Sequence, residues 1–345
     1  MNKNKIFMGF AKNIGIDLGT ANTLVHLNGK GIIIREPSVV CINKDDKKIL
    51  AVGNRADEMY GRTPESIIAI RPLKDGVIAD FDVTKAMIKS FLKKVIGNKM
   101  SILKPRILIC VPVGVTDVEK RAVEEAVALS GAKSVNLIEE PMAAAIGAGL
   151  PVDKPVGSMI VDIGGGTTEV AIISLGGIVT SSSIRIAGDY FDNAITNYIK
   201  YQYGLSIGQK TAEEIKISIG SALPYDEEGY FDVKGRDIIK GLPKSIKISS
   251  SQVQEAMSEG IYAIIDTIKE TLENTPPELA SDIMNNGITI TGGGALIKNI
   301  DTLIYQMTGI PTQIAENPLD CVAIGTGKAI MDDLILNRSK FSKNN

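Results

Sequence analysis

Two short segments of the 345-residue chain each combine one aspartate with a turn of glycine and threonine residues. Asp17 lies in an apolar run that leads into Gly19-Thr20-Ala21-Asn22, and Asp162 lies in another that leads into Gly164-Gly165-Gly166-Thr167. A second apolar run follows each turn, which predicts two β-hairpins with polar tips. Glycine lets backbone N–H groups approach an anion, and threonine adds a hydroxyl donor, so each tip could hold phosphate. The aspartate could then meet the accompanying cation.

Either hairpin alone could be an ordinary tight turn, because Asp and Gly are common turn residues. The two aspartates lie 145 positions apart, from 162 − 17. Repetition of the whole pattern predicts a duplicated fold that closes on one nucleotide from both sides.

A third glycine turn, Thr291-Gly292-Gly293-Gly294-Ala295, follows another apolar run. Apolar residues recur at helical spacing from Leu296 to Met307, which predicts a helix directly after this turn. Free amides at a helix N-terminus suit the ribose and α-phosphate end of a nucleotide. Upstream, Glu213 and Lys216 share one face of a predicted helix and could hydrogen-bond the nucleoside. A solvated surface ion pair is the alternative interpretation of these two residues.

The order of these three turns resembles that of the actin, sugar kinase and heat-shock chaperone ATPase superfamily. Within it, the chain resembles the bacterial actins of the MreB family along nearly its whole length. Five stretches carry the resemblance, at 16–22, 71–80, 138–147, 162–170 and 325–327. The resemblance implies an α/β, actin-like ATPase fold with two duplicated lobes. Each lobe would have a core sheet flanked by helices and an inserted subdomain.

The resemblance and the composition shifts along the chain together predict four subdomains. The first core subdomain takes 1–37, 75–150 and 320–345, and 38–74 is inserted in it. The second core subdomain takes 151–187 and 250–319, and 188–249 is inserted in it.

By resemblance, the ligands are ATP and Mg²⁺. The implied nucleotide-binding residues are Gly19, Thr20, Ala21, Asn22, Gly164, Gly165, Gly166, Glu213, Glu214, Ile215, Lys216, Gly292, Gly293, Gly294 and Ala295. Asp17 and Asp162 would hold the metal ion, directly or through its waters.

The resemblance also assigns hydrolysis to Glu140, which would position the attacking water, with help from Thr167. Glu140 precedes Pro141, which biases its backbone to be extended just before a helix. The alternative interpretation of Glu139 and Glu140 is favourable charge at a helix start. Because both implied hydrolytic residues are present, we expect a slow ATPase.

The implied partner is the chain itself, in head-to-tail filaments that pair side by side in antiparallel fashion. The predicted helix 117–130 is the expected lateral contact, and Val118 is its test residue. Burial of Val118 in its own lobe is the alternative. Further expected partners are other cytoskeletal or cell-wall-synthesis proteins. The role would be cell shape, or motility in a cell without a wall.

The anionic membrane surface is another expected partner, which would place the protein in the cytoplasm on the inner face of the membrane. In the segment 99–104, Met100, Ile102 and Leu103 lie between two lysines, and the family carries a membrane-inserting loop in this region. The tail adds Phe341 among three cations, and the N-terminus mixes lysines with apolar residues. A frayed terminus or a loop packed on its own lobe is the alternative for each segment.

Composition excludes several other classes of protein. A formal net charge of −2 argues against nucleic-acid binding. Cys41, Cys110 and Cys321 are scattered, so neither a disulfide framework nor a zinc site is indicated, and Cys110 is expected in the core. His26 is the single histidine and lies in an apolar strand, which disfavours histidine-based catalysis.

Two other functions remain open for the same superfamily. A small-molecule kinase would need a carboxylate base in an enclosed acceptor pocket, and 345 residues leave little room for the usual insertions. A chaperone ATPase would need a peptide-binding domain after the nucleotide domain.

Overall fold

A computed structural model of the chain describes residues 12–97 and 104–332. Its first half contains β1 (Asn13–Leu18), β2 (Asn22–Leu27), β3 (Gly31–Pro37), β4 (Val40–Asn43), β5 (Ile49–Val52), α1 (Asn54–Met59), β6 (Ile67–Ile70), β7 (Leu73–Lys74), β8 (Val77–Ile78), α2 (Phe81–Ile96), β9 (Arg106–Val111), α3 (Asp117–Leu129), β10 (Ser134–Glu139) and α4 (Glu140–Ala148).

The second half contains β11 (Ser158–Ile163), β12 (Thr168–Ser174), β13 (Gly177–Ile184), α5 (Gly188–Tyr203), β14 (Leu205–Ser206), α6 (Gln209–Ile219), β15 (Tyr230–Asp237), β16 (Pro243–Ser249), α7 (Ser250–Glu273), α8 (Pro277–Asn286), β17 (Ile288–Thr291), α9 (Ile300–Thr308), β18 (Thr312–Ile314) and α10 (Cys321–Ala329).

Two five-stranded sheets have the same topology. The first has the order β10-β9-β1-β2-β3, and the second has the order β18-β17-β11-β12-β13. In each sheet, three consecutive strands form antiparallel pairs. A later strand pairs in parallel with the first of these three, and one further strand pairs in parallel with that later strand. We call the part built on the first sheet the first lobe and the part built on the second sheet the second lobe. The predicted duplication is confirmed.

Two small sheets lie within the segments predicted to be insertions. Strands β5-β4-β6 form one between residues 40 and 70, and β14-β15-β16 form the other between 205 and 249. The exact subdomain bounds remain a prediction.

Residue types typical of helix ends lie at the ends of two helices in the first lobe. Thr116 and Glu119 form a capping box at the start of α3. Pro141 lies in the first turn of α4, and Gly149 ends that helix in the left-handed conformation. These local signals work because each depends on residues within one helical turn.

The prediction that a helix starts directly after the third glycine turn is wrong. Gly293–Leu296 makes a single 3₁₀ turn, and Asn299 then takes φ +62° before α9 begins at Ile300. Leu296 is exposed, although Ile300, Leu303 and Ile304 are buried as the spacing predicts. The helix is interrupted here because Gly294 and Ala295 are held in the core. A Cβ atom added to Gly294 would lie 2.1 Å from Ile163 Cγ2.

Helices α4 and α10 cross where the two lobes join. Their backbones approach so closely that a Cβ atom added to Gly147 or Gly325 would overlap the carbonyl groups of Cys321 or Ala143. The surrounding core includes Leu108 and Ile138 of the first sheet together with strand residues of the second. The junction therefore fixes how the two sheets face each other.

Among the described residues, no helix combines the length and the apolarity that crossing a membrane requires. The predicted membrane-contacting residues Met100, Ile102, Leu103 and Phe341 lie outside the described residues.

Candidate active site

The chemically active side chains lie at the carboxyl ends of parallel strands. Strands β1, β9 and β10 are parallel, and they end near Asp17, Cys110 and Glu140. In the second lobe, the parallel strands β11 and β17 end near Asp162 and Thr291. Carboxyl ends of parallel strands share one edge of a sheet, which is where open α/β sheets bind ligands.

The first hairpin tip is braced by a residue that the sequence analysis missed. Gly19 N–H donates to Asn22 O at 3.1 Å and closes the turn. The fully buried Ser38 donates its hydroxyl to Gly19 O at 2.7 Å and its N–H to Ala21 O at 2.9 Å. Ser38 follows β3, so its role depends on a strand pairing that local sequence does not reveal.

The second hairpin tip is braced by the start of a helix. Gly164 N–H donates to Thr167 O at 2.9 Å. The first two N–H groups of α5, on Gly188 and Asp189, donate to Gly164 O and Gly165 O at 3.1 and 2.8 Å. These amides have no partner within their own helix, so the loop carbonyls satisfy them and fix the tip.

The two tips meet each other, as the duplication predicts. A Cβ atom added to Gly165 would lie 2.7 Å from Ala21 Cβ, and one added to Gly166 would lie 2.6 Å from Thr20 Oγ1. The connection between β7 and β8 reaches the same place, because Gly76 N–H donates to Thr20 Oγ1 at 3.0 Å. Asp75 and Gly76 both have positive φ, as a two-residue Asp-Gly hairpin turn requires.

Four carboxylates gather around these tips: Asp17, Glu140, Asp162 and Glu169. None of the ion pairs in the described part of the chain includes any of them. Burial, and then repulsion from Asp162, raises the pKa of Asp17 to about 7. Burial raises the pKa of Asp162 to about 6, against a hydrogen bond from Thr291 Oγ1 that favours its ionised form. Burial also raises the pKa of Glu140 and of Glu169 well above the usual value.

Glu169 is a site residue to which the sequence analysis gave no role. It is completely buried and lies directly opposite Asp162 in the β11–β12 register, so both side chains lie on one face of the hairpin. Its Oε1 atom accepts from Val113 N–H of the first lobe at 3.0 Å, and its Oε2 atom has no hydrogen-bond partner among the described residues. The sequence signal for a role of Glu169 in the site was an acidic residue directly before the apolar run 170–173.

Cys110 is buried, as predicted, but it also belongs to the site. Its Sγ atom lies 3.5 Å from Asp17 Oδ1 and 3.8 Å from Glu140 Oε1. Burial and the two neighbouring carboxylates raise the pKa of the thiol well above its usual value.

Thr167, the predicted partner of Glu140, is buried close to Gly76.

The predicted nucleoside residues on α6 are only partly brought to the site. Lys216 Nζ pairs with Asp192 at 2.7 Å and donates to Gly188 O at 3.1 Å, beside the second tip. The alternative of a surface pair between Glu213 and Lys216 is therefore wrong, because among the described residues Lys216 pairs with the buried Asp192 of α5 and not with Glu213. Ile215 is completely buried and Glu214 is exposed, so the side chain of Ile215 faces the core of the lobe.

The third glycine turn packs directly against the second hairpin. A Cβ on Gly292 would lie 2.3 Å from Ile163 O, and this residue has φ +80°. Gly294 and Ala295 are buried, whereas Gly293 is exposed. The glycines are thus required for close packing, which brings the turn beside Asp162.

Two ion pairs cross between the inserted segments of the two lobes. Asp57 at the end of α1 pairs with Lys210 of α6 at 2.7 Å, and Arg71 pairs with Asp189 of α5 at 2.9 Å. Both join residues more than 100 positions apart, so no local signal predicts them.

These residues fit a nucleotide with a divalent cation. Glycines let the two tips approach each other with no side chain covering their backbone. The carboxylates include the buried Glu169 Oε2, which has no hydrogen-bond partner in the described part of the chain. Magnesium prefers oxygen ligands and keeps several of its waters, which suits carboxylates on both sides of a cleft. Asp17 and Asp162 are the residues that would hold it.

The raised pKa values predict a pH-dependent effect of Mg²⁺ on stability. Between the usual pKa of 3.8 and the raised values of about 7 and 6, the folded chain holds protons that the unfolded chain has lost. Stability from these two groups therefore falls as the pH rises through that window. Because Mg²⁺ binds the ionised carboxylates, it should raise the unfolding temperature more at about pH 8 than at about pH 5.

Thermal unfolding with and without Mg²⁺ at both pH values measures this effect. Asp162→Asn is the matched control and should remove most of the difference. Equal Mg²⁺ stabilisation at both pH values would contradict the assignment of these carboxylates to the metal.

Comparison with known sequences places nearly the whole chain in one group of proteins. A sequence profile of the MreB/Mbl protein family matches residues 11–336. Cell shape-determining protein Mbl of Bacillus subtilis strain 168 is 54% identical, over 92% of this chain and 95% of that protein. Cell shape-determining protein MreB of Escherichia coli K12 is also 54% identical, over 94% of this chain and 95% of that protein.

Comparison with solved structures agrees with the fold. MreB5 of Spiroplasma citri bound to ADP superposes with a TM-score of 0.88 at 42% identity, over 97% of this chain and 99% of that one. The same protein bound to AMPPNP gives a TM-score of 0.87 at 42% identity, over 96% and 99%. A MamK double helical filament, at 21% identity and a TM-score of 0.78 over 93% and 99%, shares the fold alone. The actin-like fold predicted from the sequence is confirmed.

Proposed function

The chain belongs to the MreB/Mbl protein family, and on that premise we propose that it is an ATP-hydrolysing bacterial actin whose filaments lie on the membrane. The observation that carries the proposal is the meeting of two glycine tips, one from each lobe, beside four carboxylates that form no ion pair with any other described residue. The family membership leaves no specific observation in favour of a small-molecule kinase or a chaperone. The cellular role is shape, or motility where the cell has no wall.

Each part of the site has a role in binding. Backbone N–H groups at Thr20–Asn22 and at Gly165 and Gly166 bind phosphate, and residues 213–216 and 292–295 border the nucleoside. Gly164 closes the second tip through its hydrogen bond to Thr167 O. Bound ATP supplies the phosphoanhydride that is cleaved, and Mg²⁺ neutralises its charge. Asp17 and Asp162 orient the cation from opposite lobes, so they hold the lobes together around the ligand.

Glu140 positions water for the reaction. It lies at the start of α4, where a rigid helix and the preceding strand β10 fix its place. Hydrolysis of a phosphoanhydride depends on an oriented water and charge stabilisation more than on a strong base. A carboxyl group whose burial raises its pKa suits that orienting role. Thr167 adds a hydroxyl on the opposite side, from the second tip.

Assembly follows from head-to-tail contact, because an open heterologous interface generates a filament. For pairing of filaments, α3 presents Val118 and Leu129, which are 76% and 57% exposed. Arg121 and Glu125 are exposed on the same helix. In a twofold antiparallel pair centred near residue 123, Arg121 of each helix faces Glu125 of the other, and Val118 faces Ala128. The face is thus complementary to itself.

Charge reversal tests this lateral contact. Arg121→Glu and Glu125→Arg should each abolish paired filaments, because each places like charges opposite each other. The double variant should restore pairing, as negative-stain electron microscopy of ATP-grown filaments would reveal. Val118→Glu should abolish pairing with no rescue. A double variant that pairs no better than the single variants would overturn the antiparallel α3 contact.

Membrane attachment rests on the apolar and basic segments at 99–104 and 338–345. Each cation near an anionic leaflet contributes only about 1 kcal/mol, so single subunits should bind weakly and filaments should bind through multivalency. Co-sedimentation with anionic vesicles should be strong for filaments, sensitive to salt, and reduced by Ile102→Ser with Leu103→Ser or by removal of 338–345. Equal binding of all three chains, or of neutral vesicles, would overturn the assignment.

A further inference from the structure

Three potential metal ligands converge at the ends of three adjacent strands of the first sheet. Cys110 Sγ, one carboxylate oxygen of Asp17 and one carboxylate oxygen of Glu140 all lie within 4.8 Å of one another. Their strands β1, β9 and β10 are hydrogen-bonded neighbours in the first lobe, whose core is well packed. A set of ligands on rigid strands needs little rearrangement to bind an ion.

The two sulfur–oxygen distances are close to those of a tetrahedral zinc site. With Zn–S near 2.3 Å and Zn–O near 2.0 Å, sulfur and oxygen ligands at a tetrahedral angle lie about 3.5 Å apart. Here Cys110 Sγ is 3.5 Å from Asp17 Oδ1 and 3.8 Å from Glu140 Oε1. Three protein ligands leave a fourth position open, as in other zinc sites that bind water. Magnesium does not use thiolate ligands, so its binding gives Cys110 no role.

The surrounding charge also favours a cation at this place. Glu169 is completely buried, and within residues 12–97 and 104–332 its Oε2 atom has no hydrogen-bond partner. Glu169 lies opposite Asp162 in the β11–β12 register, so these two carboxyl groups add negative charge on one face of the hairpin. A fully buried polar atom without a partner is rare in folded proteins and indicates a missing ion or ligand.

We propose that a thiophilic divalent cation of the zinc class binds Asp17, Cys110 and Glu140 and thereby inhibits the ATPase. As the metal binds, the Cys110 thiol and any protonated carboxyl group among Asp17 and Glu140 release their protons to solvent. The single S–H hydrogen that the two carboxyl groups share is lost in this step. The bound ion occupies Asp17 and Glu140, which the magnesium ion and the attacking water otherwise need. The proposed metal binding does not depend on the ATPase function proposed above, whereas the proposed inhibition rests on it.

Cobalt absorption tests the binding step on the full, nucleotide-free chain. One equivalent of Co²⁺ should produce a thiolate-to-metal charge-transfer band in the near ultraviolet, and Zn²⁺ should abolish it. Cys110→Ala should remove the band, and Glu140→Gln should weaken cobalt binding about tenfold while keeping the thiol. Cys41→Ala and Cys321→Ala, at the other two buried thiols, are matched controls that should keep it. No band in the parent chain, or a band that survives in Cys110→Ala, would overturn the proposal.

Phosphate release with Mg²⁺ and ATP tests the inhibition, with each chain normalised to its own rate without zinc. Half-inhibition of Cys110→Ala should need at least about tenfold more Zn²⁺ than that of the parent or of Cys321→Ala. Equal zinc sensitivity of all three would overturn the inhibitory role. A parent chain that never hydrolyses ATP would contradict the proposed function, and the cobalt spectrum would still decide the metal site.

Discussion

Glu140→Ala is expected to keep nucleotide affinity and to lose most phosphate release, by roughly 10²-fold or more. A residue that positions the attacking water acts on the transition state, so its removal lowers the rate with little effect on ground-state binding. Single-turnover phosphate release at saturating ATP measures the rate, and fluorescent-nucleotide titration measures the affinity.

Glu139→Ala is the matched control, because Glu139 is adjacent and equally able to interact favourably with the start of α4. Removal of the Glu139 side chain should leave the rate of phosphate release within a few-fold of the parent rate. Hydrolysis by Glu140→Ala at the parent rate would assign the positioning of water to another residue, and Glu169→Gln would then be the next variant to measure.

Gly165→Asp should abolish nucleotide binding, with a loss of affinity of about 100-fold or more. A Cβ atom at this position would lie 2.7 Å from Ala21 Cβ, so any side chain pushes the tips apart. The aspartate adds a further negative charge beside the four carboxylates, where phosphate would bind.

Two controls separate the physical causes of that loss. Gly165→Ala has the steric effect without the charge and should weaken binding less. Gly177→Asp introduces the same residue at the start of β13, where the nearest atom to an added Cβ is 3.9 Å away, and should bind normally. Unchanged ATP affinity in Gly165→Asp would contradict the location of the phosphate site.

The hairpins could be predicted from sequence because their chemistry is local. In both hairpins, strand, turn and returning strand are contiguous, so the turn residues and the register specify each other. The helix caps at Thr116 and Gly149 are predictable for the same reason. The start of α9 was not, because packing of Gly294 against Ile163 overrides the helical spacing of the residues that follow.

Residues whose role depends on contacts between distant segments could not be found in this way. Glu169 accepts a hydrogen bond from Val113 of the other lobe, and Cys110 meets Asp17 and Glu140 only because three strands align. Lys216 pairs with Asp192 of the preceding helix in place of Glu213 on its own helix. In each case the sequence shows the residue type, and the tertiary fold selects its partner.

Sedimentation of the unmodified chain, with phosphate release followed in the same sample, tests the central claim most directly. With Mg²⁺ and ATP, we expect the protein to pellet above a critical concentration and to release phosphate as it assembles. Glu140→Ala should still pellet with ATP and release little phosphate, whereas Gly165→Asp should do neither. A chain that stays in the supernatant across concentration and salt, or that pellets equally without nucleotide, would contradict an ATP-dependent filament.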